Sequence, residues 1–213
     1  MMKQCYLGKK GYTIFKSELN KEEEQKILKD LTVKPFIPKS IIPATKFPVY
    51  RESTKKYYVP RFYGIEKYGN PKRVEISTGD KININFKGKL RDYQDNIVDK
   101  YVKYVDEIGG GLLEIDTGLG KTVIALNILT KIKVKALIIV HKEFLMNQWI
   151  ERIEQFIPEA RVGKIQGSKI DIEDKDIVIG MLQSISMKDY DTDVFNSFGI
   201  TVIDEVHHMG AEV

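Results

Sequence analysis

The segment Ile115-Asp116-Thr117-Gly118-Leu119-Gly120-Lys121-Thr122 constrains this chain more than any other. It follows the β-prone run Leu112-Leu113-Glu114-Ile115, which predicts a short strand. It precedes a helical stretch carrying Val123, Ile124, Ala125, Leu126, Ile128 and Leu129. A strand that turns through glycines into a helix is the setting a phosphate-binding loop requires. Gly118 and Gly120 let the backbone approach a phosphate closely, and the free amides of the helix N-terminus point at it. Lys121 then supplies positive charge to the β- and γ-phosphates of a nucleotide, and Thr122 a hydroxyl ligand for Mg²⁺. The first glycine of the general Gly-x-x-x-x-Gly-Lys-Thr pattern is replaced by Ile115.

Around this loop the chain alternates helices with apolar strands. Residues 91–106 predict a helix with Ile97, Val98, Tyr101, Val102 and Val105 on one stripe, stopped by Gly109-Gly110-Gly111. Ala136–Val140 is a continuous apolar run that predicts a strand buried on both faces. Residues 142–157 predict a helix, and Asp176–Gly180 and Ile200–Ile203 two more buried strands. That alternation implies an α/β fold, a parallel sheet covered by helices. The last strand runs into Val202-Ile203-Asp204-Glu205-Val206-His207. Asp204 is placed to hold Mg²⁺ through water, and Glu205 to orient and deprotonate an attacking water. His207 is expected to couple the nucleotide site to the next part of the chain, and His208 to be structural.

Composition separates the chain into two modules. Residues 1–90 hold 20 Lys+Arg and 9 Asp+Glu (20 − 9 = +11), and residues 91–213 hold 14 and 21 (14 − 21 = −7), which together give the net +4. The expected organisation is a basic, aromatic-rich α+β module over 1–87 and an α/β domain over 88–213. In the first module, Gln4–Leu7 and Tyr12–Phe15 predict a hairpin, Lys21–Leu31 a helix capped by Ser17 or Asn20, and Thr32–Phe36 a short strand. Residues 37–48 read as a proline-rich linker, Phe47–Arg51 with Lys56–Val59 as a second hairpin, and Lys81–Phe86 as a half-buried strand. The stretch Lys55-Lys56-Tyr57-Tyr58-Val59-Pro60-Arg61-Phe62-Tyr63 admits two readings, aromatics stacking on unpaired bases or aromatics forming a small core. The single cysteine, Cys5, excludes a disulfide framework. Neither a membrane span nor a signal-type stretch is found, so a soluble intracellular protein is expected, in cytoplasm, nucleus or a viral setting.

These motifs resemble the first RecA-like motor domain of superfamily 2 helicases and translocases. Thr117–Thr122 resembles the family's motif I, in which a first glycine is commonly absent, and Asp204-Glu205-Val206-His207 is similar to the DExH form of motif II. The resemblance implies ATP as the nucleotide, with Thr117, Gly118, Leu119, Gly120, Lys121 and Thr122 around its phosphates. Leu90-Arg91-Asp92-Tyr93-Gln94 resembles the upstream adenine-reading motif, which implies that Gln94 meets the adenine edge with Tyr93 or Arg91 nearby. His141 and Lys142, Gly167 and Ser168, and Gln183 and Ser184 fall where the family touches the sugar-phosphate backbone of a nucleic acid. Gln148-Trp149 is similar to the phage, large-DNA-virus and excision-repair-like branch, which implies DNA over RNA and a larger replication, repair or transcription complex.

The function implied is ATP hydrolysis coupled to movement along a strand. The rivals are a restriction-type duplex translocase that does not unwind and a nucleic-acid-binding protein that only senses ATP. The pattern breaks off after motif II, so the sequence is expected to be the front part of a longer enzyme and nearly inactive alone. The family's next strand would lie between Leu112–Ile115 and Ile200–Ile203, and without it those strands pair directly, leave a gap, or expose an aggregation-prone edge.

Overall fold

The computed structural model describes residues 4–34, 45–191 and 193–206. The chain divides into two compact units, Met1–Ile76 and Ser77–Val213.

In the first unit, β1 (Cys5–Gly8) and β2 (Gly11–Phe15) form the expected hairpin. Helix α1 (Lys21–Asp30) is capped by Asn20, not Ser17. The Asn20 Oδ1 accepts from the Glu23 amide at 2.8 Å, and a Glu23 carboxylate oxygen accepts from the Asn20 amide at 3.0 Å. The reciprocal pair satisfies two amides that a helix start leaves open. Strand β3 (Thr32–Val33) pairs with β4 (Phe47–Pro48), so Phe47 does not join the second hairpin. That hairpin is instead β5 (Arg51–Glu52) with β6 (Lys56–Val59), closed where the Ser53 amide donates to Lys56 O at 2.9 Å. Residues 35–36 of the expected strand and most of the expected linker lie outside the described residues. Helix α2 (Arg61–Tyr68) and strand β7 (Arg73–Val74) complete a sheet of order β5-β6-β2-β1-β7. Its inward face places Cys5, Leu7, Tyr12, Ile14, Tyr57 and Val59 against Ile27 and Leu31. Gly64 of α2 lies so close to the Tyr12 ring that a Cβ would fall 2.1 Å from Tyr12 Cγ. The buried Tyr12 hydroxyl donates to Gly69 O at 2.9 Å and lies 2.7 Å from the Cys5 thiol.

The second unit opens with Lys81–Phe86, predicted as a strand of the first module. Only an isolated bridge from Lys81 to Val134 forms. The predicted alternation of burial is nonetheless present. Ile82 and Ile84 insert into this unit's core, and the Phe86 ring stacks on Phe156 at 5.2 Å. Residues 77–87 therefore pack with the second unit rather than the first. Helices α3 (Asp92–Ile108) and α4 (Lys121–Ile132) follow and pack together through Val98, Ile124 and Ile128. Then come β8 (Ala136–Val140), α5 (Glu143–Phe156), β9 (Val162–Gln166), β10 (Lys169–Ile170), β11 (Ile177–Met181), α6 (Leu182–Ser186) and β12 (Ile200–Ile203).

The sheet order is β10-β9-β11-β8-β12, with β9, β11, β8 and β12 parallel and β10 antiparallel to β9. Ala136, Ile138 and Val140 face α4 and α5, where Leu126, Leu129, Met146, Trp149 and Ile153 cover them. Leu137, Ile139 and Val178 face the opposite layer with Ile165, Ile172 and Phe198. The expected α/β fold, a parallel sheet covered by helices, is the one observed. Among the described residues no helix is long and apolar enough to cross a membrane.

Two strand expectations are corrected. Leu112–Ile115 carries no ladder pairing, and Leu112 is 74% exposed. Its neighbour would be the far edge of β12, but a cavity of about 450 Å³ separates them, lined by Gly111–Ile115 on one side and Ile200–Val206 on the other. For the same reason β12 is not fully buried. It is an edge strand with Thr201 and Ile203 exposed.

Candidate functional site

The loop of residues 116–120 delivers the chain into α4 through Gly120, whose φ of +85° is left-handed. A side chain there would be strained, and its Cβ would fall 2.6 Å from Gln94 Nε2. Gln94 is buried directly beneath this loop. Its Nε2 donates to Leu119 O at 3.0 Å, and its Oε1 accepts from the Arg91 amide at 3.0 Å. The Tyr93 hydroxyl also donates to Leu119 O, at 2.9 Å, and Arg91 donates to that hydroxyl at 3.1 Å. Tyr93 and Gln94 thus clamp the loop to the start of α3. Sequence reasoning gives Gln94 only a base to meet. The amide has one further N–H and one further lone pair beyond the two bonds it makes here.

Lys121 and Thr122 occupy the first turn of α4. Lys121 Nζ lies 4.0 Å from Glu205 Oε1, with the two side chains 41% and 38% exposed. At that distance and exposure such a pair contributes about 0–1 kcal/mol. The lysine can therefore exchange this partner for a phosphate at little cost. Glu205 has φ +54°, an uncommon conformation for a residue with a side chain, and it sits where β12 ends. Asp204, just before it, is fixed by two contacts. Its amide donates to Ile139 O at 3.0 Å, and its Oδ2 accepts from the indole Nε1 of Trp149 at 2.9 Å. The sequence reading gives Trp149 a place on the 142–157 helix and in the Gln148-Trp149 resemblance, but gives its indole no partner. The available signal is that a buried indole N–H needs an acceptor.

Lys121, Trp149, Asp204 and Glu205 all line the cavity beside β12. Tyr101 lines it as well. Burial pushes the Tyr101 phenol up and outweighs its bond with Gly111 O, so it stays protonated as a donor.

The backbone-contact candidates collect at the same end of the sheet. His141 and Lys142 follow β8, Gly167 and Ser168 follow β9, and Gln183 and Ser184 follow β11. The structure ties these loops together. Gln183 Nε2 donates to His141 O at 3.0 Å, the Gly167 amide donates to Ser184 Oγ at 2.8 Å, and Lys188 donates to Gly167 O. Lys142 is exposed, its Nζ 5.9 Å from the Phe144 ring centroid. In an open parallel sheet the carboxyl ends of the strands are where ligands bind. His207 and His208 lie outside the described residues.

The sequence profile of a family described as "Type III restriction enzyme, res subunit" matches residues 87–213. A candidate ATP-dependent RNA helicase of Acanthamoeba polyphaga mimivirus is 36% identical over 207 residues, covering 94% of this chain and 40% of its own. A candidate ATP-dependent RNA helicase of African swine fever virus (isolate Pig/Kenya/KEN-50/1950) is 33% identical over 126 residues, 56% of this chain and 24% of its own. A candidate helicase of Invertebrate iridescent virus 3 is 32% identical over 162 residues, 70% of this chain and 48% of its own. The chain thus spans less than half the length of these relatives. Among solved structures, the Sulfolobus solfataricus SWI2/SNF2 ATPase core in complex with dsDNA is 26% identical with a TM-score of 0.49, over 62% of this chain and 29% of that one.

Proposed function

Because the chain belongs to the family described as type III restriction enzyme, res subunit, we propose that it carries the nucleotide-binding part of an ATP-dependent nucleic-acid helicase or translocase. The observation that supports this most is the convergence of Lys121, at the start of α4, with Asp204 and Glu205, at the end of β12, on one cavity.

In this reading the backbone of residues 117–120 and the Lys121 ammonium hold the ATP phosphates, and Gln94 turns its unused hydrogen-bonding positions to the adenine. The Thr122 hydroxyl and the Asp204 carboxylate suit Mg²⁺, which takes one or two carboxylates and completes its shell with substrate phosphates and water. Trp149 orients that carboxylate by occupying Oδ2. Bound Mg²⁺ would neutralise charge developing on the phosphates. Glu205 accepts a proton from water as the water oxygen bonds to the γ-phosphorus and the bond to the ADP oxygen breaks.

The loops at His141–Lys142, Gly167–Ser168 and Gln183–Ser184 would meet a sugar-phosphate backbone. Such contacts position a strand without reading its sequence. The branch resemblance favours DNA, whereas the names of the mimivirus and African swine fever virus relatives favour RNA. A replication, repair or transcription complex of a large virus is the setting proposed. The family's description supports one rival, a duplex motor that moves without unwinding.

The test is ATP turnover by the protein with single-stranded DNA, single-stranded RNA and duplex. Lys121→Ala should abolish ATP binding. Glu205→Gln should keep ATP binding and lower turnover by a hundredfold or more, on the order of a lost general base. Unaltered nucleotide affinity in Lys121→Ala would sink the assignment. Strand displacement separates a helicase from a duplex motor.

A further inference from the structure

We propose that the outward face of the first unit's sheet is a stacking platform for single-stranded nucleic acid, a second binding surface that does not depend on the nucleotide-site reading. The register supplies it. Arg73 pairs with Tyr6, Tyr6 with Thr13, Thr13 with Tyr58, and Tyr58 with Arg51, so these five residues form one row across the sheet. Directly opposed residues share a face. The row is therefore two tyrosines with a threonine between them and an arginine at each end. With strands spaced roughly 4.8 Å apart, Tyr6 and Tyr58 stand roughly 10 Å apart. Phe15, paired with Lys56, adds a third ring on the same face.

Cations accompany every one of these rings. Arg73 lies 5.0 Å and Lys56 5.2 Å from the Tyr6 centroid, Lys56 lies 5.0 Å from that of Phe15, and Lys10 lies 5.3 Å from that of Tyr58. The inward tyrosines are partnered differently. Tyr57 donates to Glu24 and Tyr63 to Asp30, although Lys16, paired with Glu52, also lies over Tyr57. The inward core is already closed by α1 and α2, so the outward rings are not needed to complete it. Tyr6, Phe15 and Tyr58 remain half-buried, and Thr13 between the two tyrosines is buried. Glu75, bound to Arg73 at 2.6 Å, is the carboxylate beside this row, and a phosphate would take its place.

The ligand follows from charge and shape. Residues 1–76 hold 17 Lys+Arg against 8 Asp+Glu (17 − 8 = +9), which suits a polyanion. Unpaired bases stack on aromatic rings while adjacent cations take the phosphates, an arrangement that tolerates any sequence. A duplex keeps its bases inside and cannot use the rings.

The test uses the full chain without nucleotide, measuring fluorescence anisotropy of labelled 12-mers of oligo-dT and oligo-U and of a duplex of equal length. Combined Tyr6→Leu and Tyr58→Leu should weaken single-strand binding by tenfold or more and change duplex binding less than twofold. Tyr58→Phe should retain binding, because the ring is what stacks. Lys10→Gln with Arg73→Gln should flatten the dependence of log affinity on log salt by roughly 0.7 per charge removed. Backbone amide protection across β2 confirms that each variant is folded. Photocrosslinking of a 5-iodouridine 12-mer should map to Tyr6 or Tyr58. Loss on either oligonucleotide supports the platform, and the tighter of the two identifies the sugar. Unchanged single-strand affinity in the leucine pair, equal loss on the duplex, or crosslinks confined to the second unit would overturn it.

Discussion

Both units are built on five-stranded sheets, yet β6 of the first and β8 of the second are buried in different ways. In the first unit β6 alternates, with Tyr57 and Val59 buried and Lys56 and Tyr58 turned outward. In the second unit β8 buries all five of its residues, because helices cover one face and Tyr190, Val194, Phe195 and Phe198 with α6 cover the other. A sheet covered on both faces keeps only its strand ends for chemistry, and the candidate nucleotide site and backbone loops lie at those ends. A sheet covered on one face keeps the other for binding.

The sharpest way to break this contrast is a matched pair of substitutions. Ile138→Ala in β8 should cost the second unit about 2–5 kcal/mol, the range for emptying a packed core position. Tyr58→Thr on the open face should cost the first unit less than about 0.5 kcal/mol. Urea denaturation read by hydrogen exchange assigns each loss to its unit, and equal costs would mean the outward face of the first sheet is packed like a core position. Tyr12→Phe comes next. It strips a buried hydroxyl from Gly69 O and the Cys5 thiol, and exposing those partners should cost about 1–3 kcal/mol. The readout is amide protection at Thr13, and an unchanged rate would show that water replaces the hydroxyl. Asn20→Ala removes the α1 cap and should cost about 1 kcal/mol, seen as faster exchange at the Glu23 amide.

The smallest effect sharpens the second unit alone. Burial raises the Asp176 carboxyl, but three hydrogen bonds from Arg161, at 2.8, 3.0 and 2.8 Å, outweigh it and hold the group below the usual carboxylate range. A depressed folded pKa stabilises fully above the unfolded value and is lost as pH falls through the folded one. Denaturant midpoints should therefore fall as pH drops through and below the usual carboxylate range, and Asp176→Asn should flatten that slope. The effect is modest because the Arg161 side chain is 60% exposed and screened by solvent. An identical slope in the variant would remove the pair from the acid response.

Legibility in the sequence depends on range. The capping box at Asn20 and Glu23, the hairpin at Gly8–Gly11 and the apolar strand Ala136–Val140 are decided by neighbouring residues, and all form. The resemblance carried by Thr117–Thr122 and Asp204–His207 is borne out by the family match across 87–213. Strand identity failed where it depends on a distant edge. Leu112–Ile115 has β-prone residues and no adjacent strand, and Lys81–Phe86 alternates correctly but packs against helices through Ile82 and Ile84. Of the two readings of Lys55–Tyr63, the small core is met by Tyr57, Val59 and Tyr63, and base stacking is left to the proposed platform at Tyr58. Tyr57 packs inward and Tyr58 points out, a distinction that only the pairing register supplies. The bonds from Gln94 to Leu119 and from Trp149 to Asp204 join residues 25 and 55 positions apart, which no local pattern encodes.

The indole of Trp149 has one more consequence. It is the sole tryptophan of the chain, and its N–H rests on the carboxylate proposed to receive the metal. Indole emission responds to the charge and polarity around the ring, so any change in the charge borne by Asp204 is transmitted to the chain's one strong intrinsic fluorophore. If Asp204 serves the proposed nucleotide site, nucleotide arrival would be read in unlabelled material from the wavelength and yield of this single emitter.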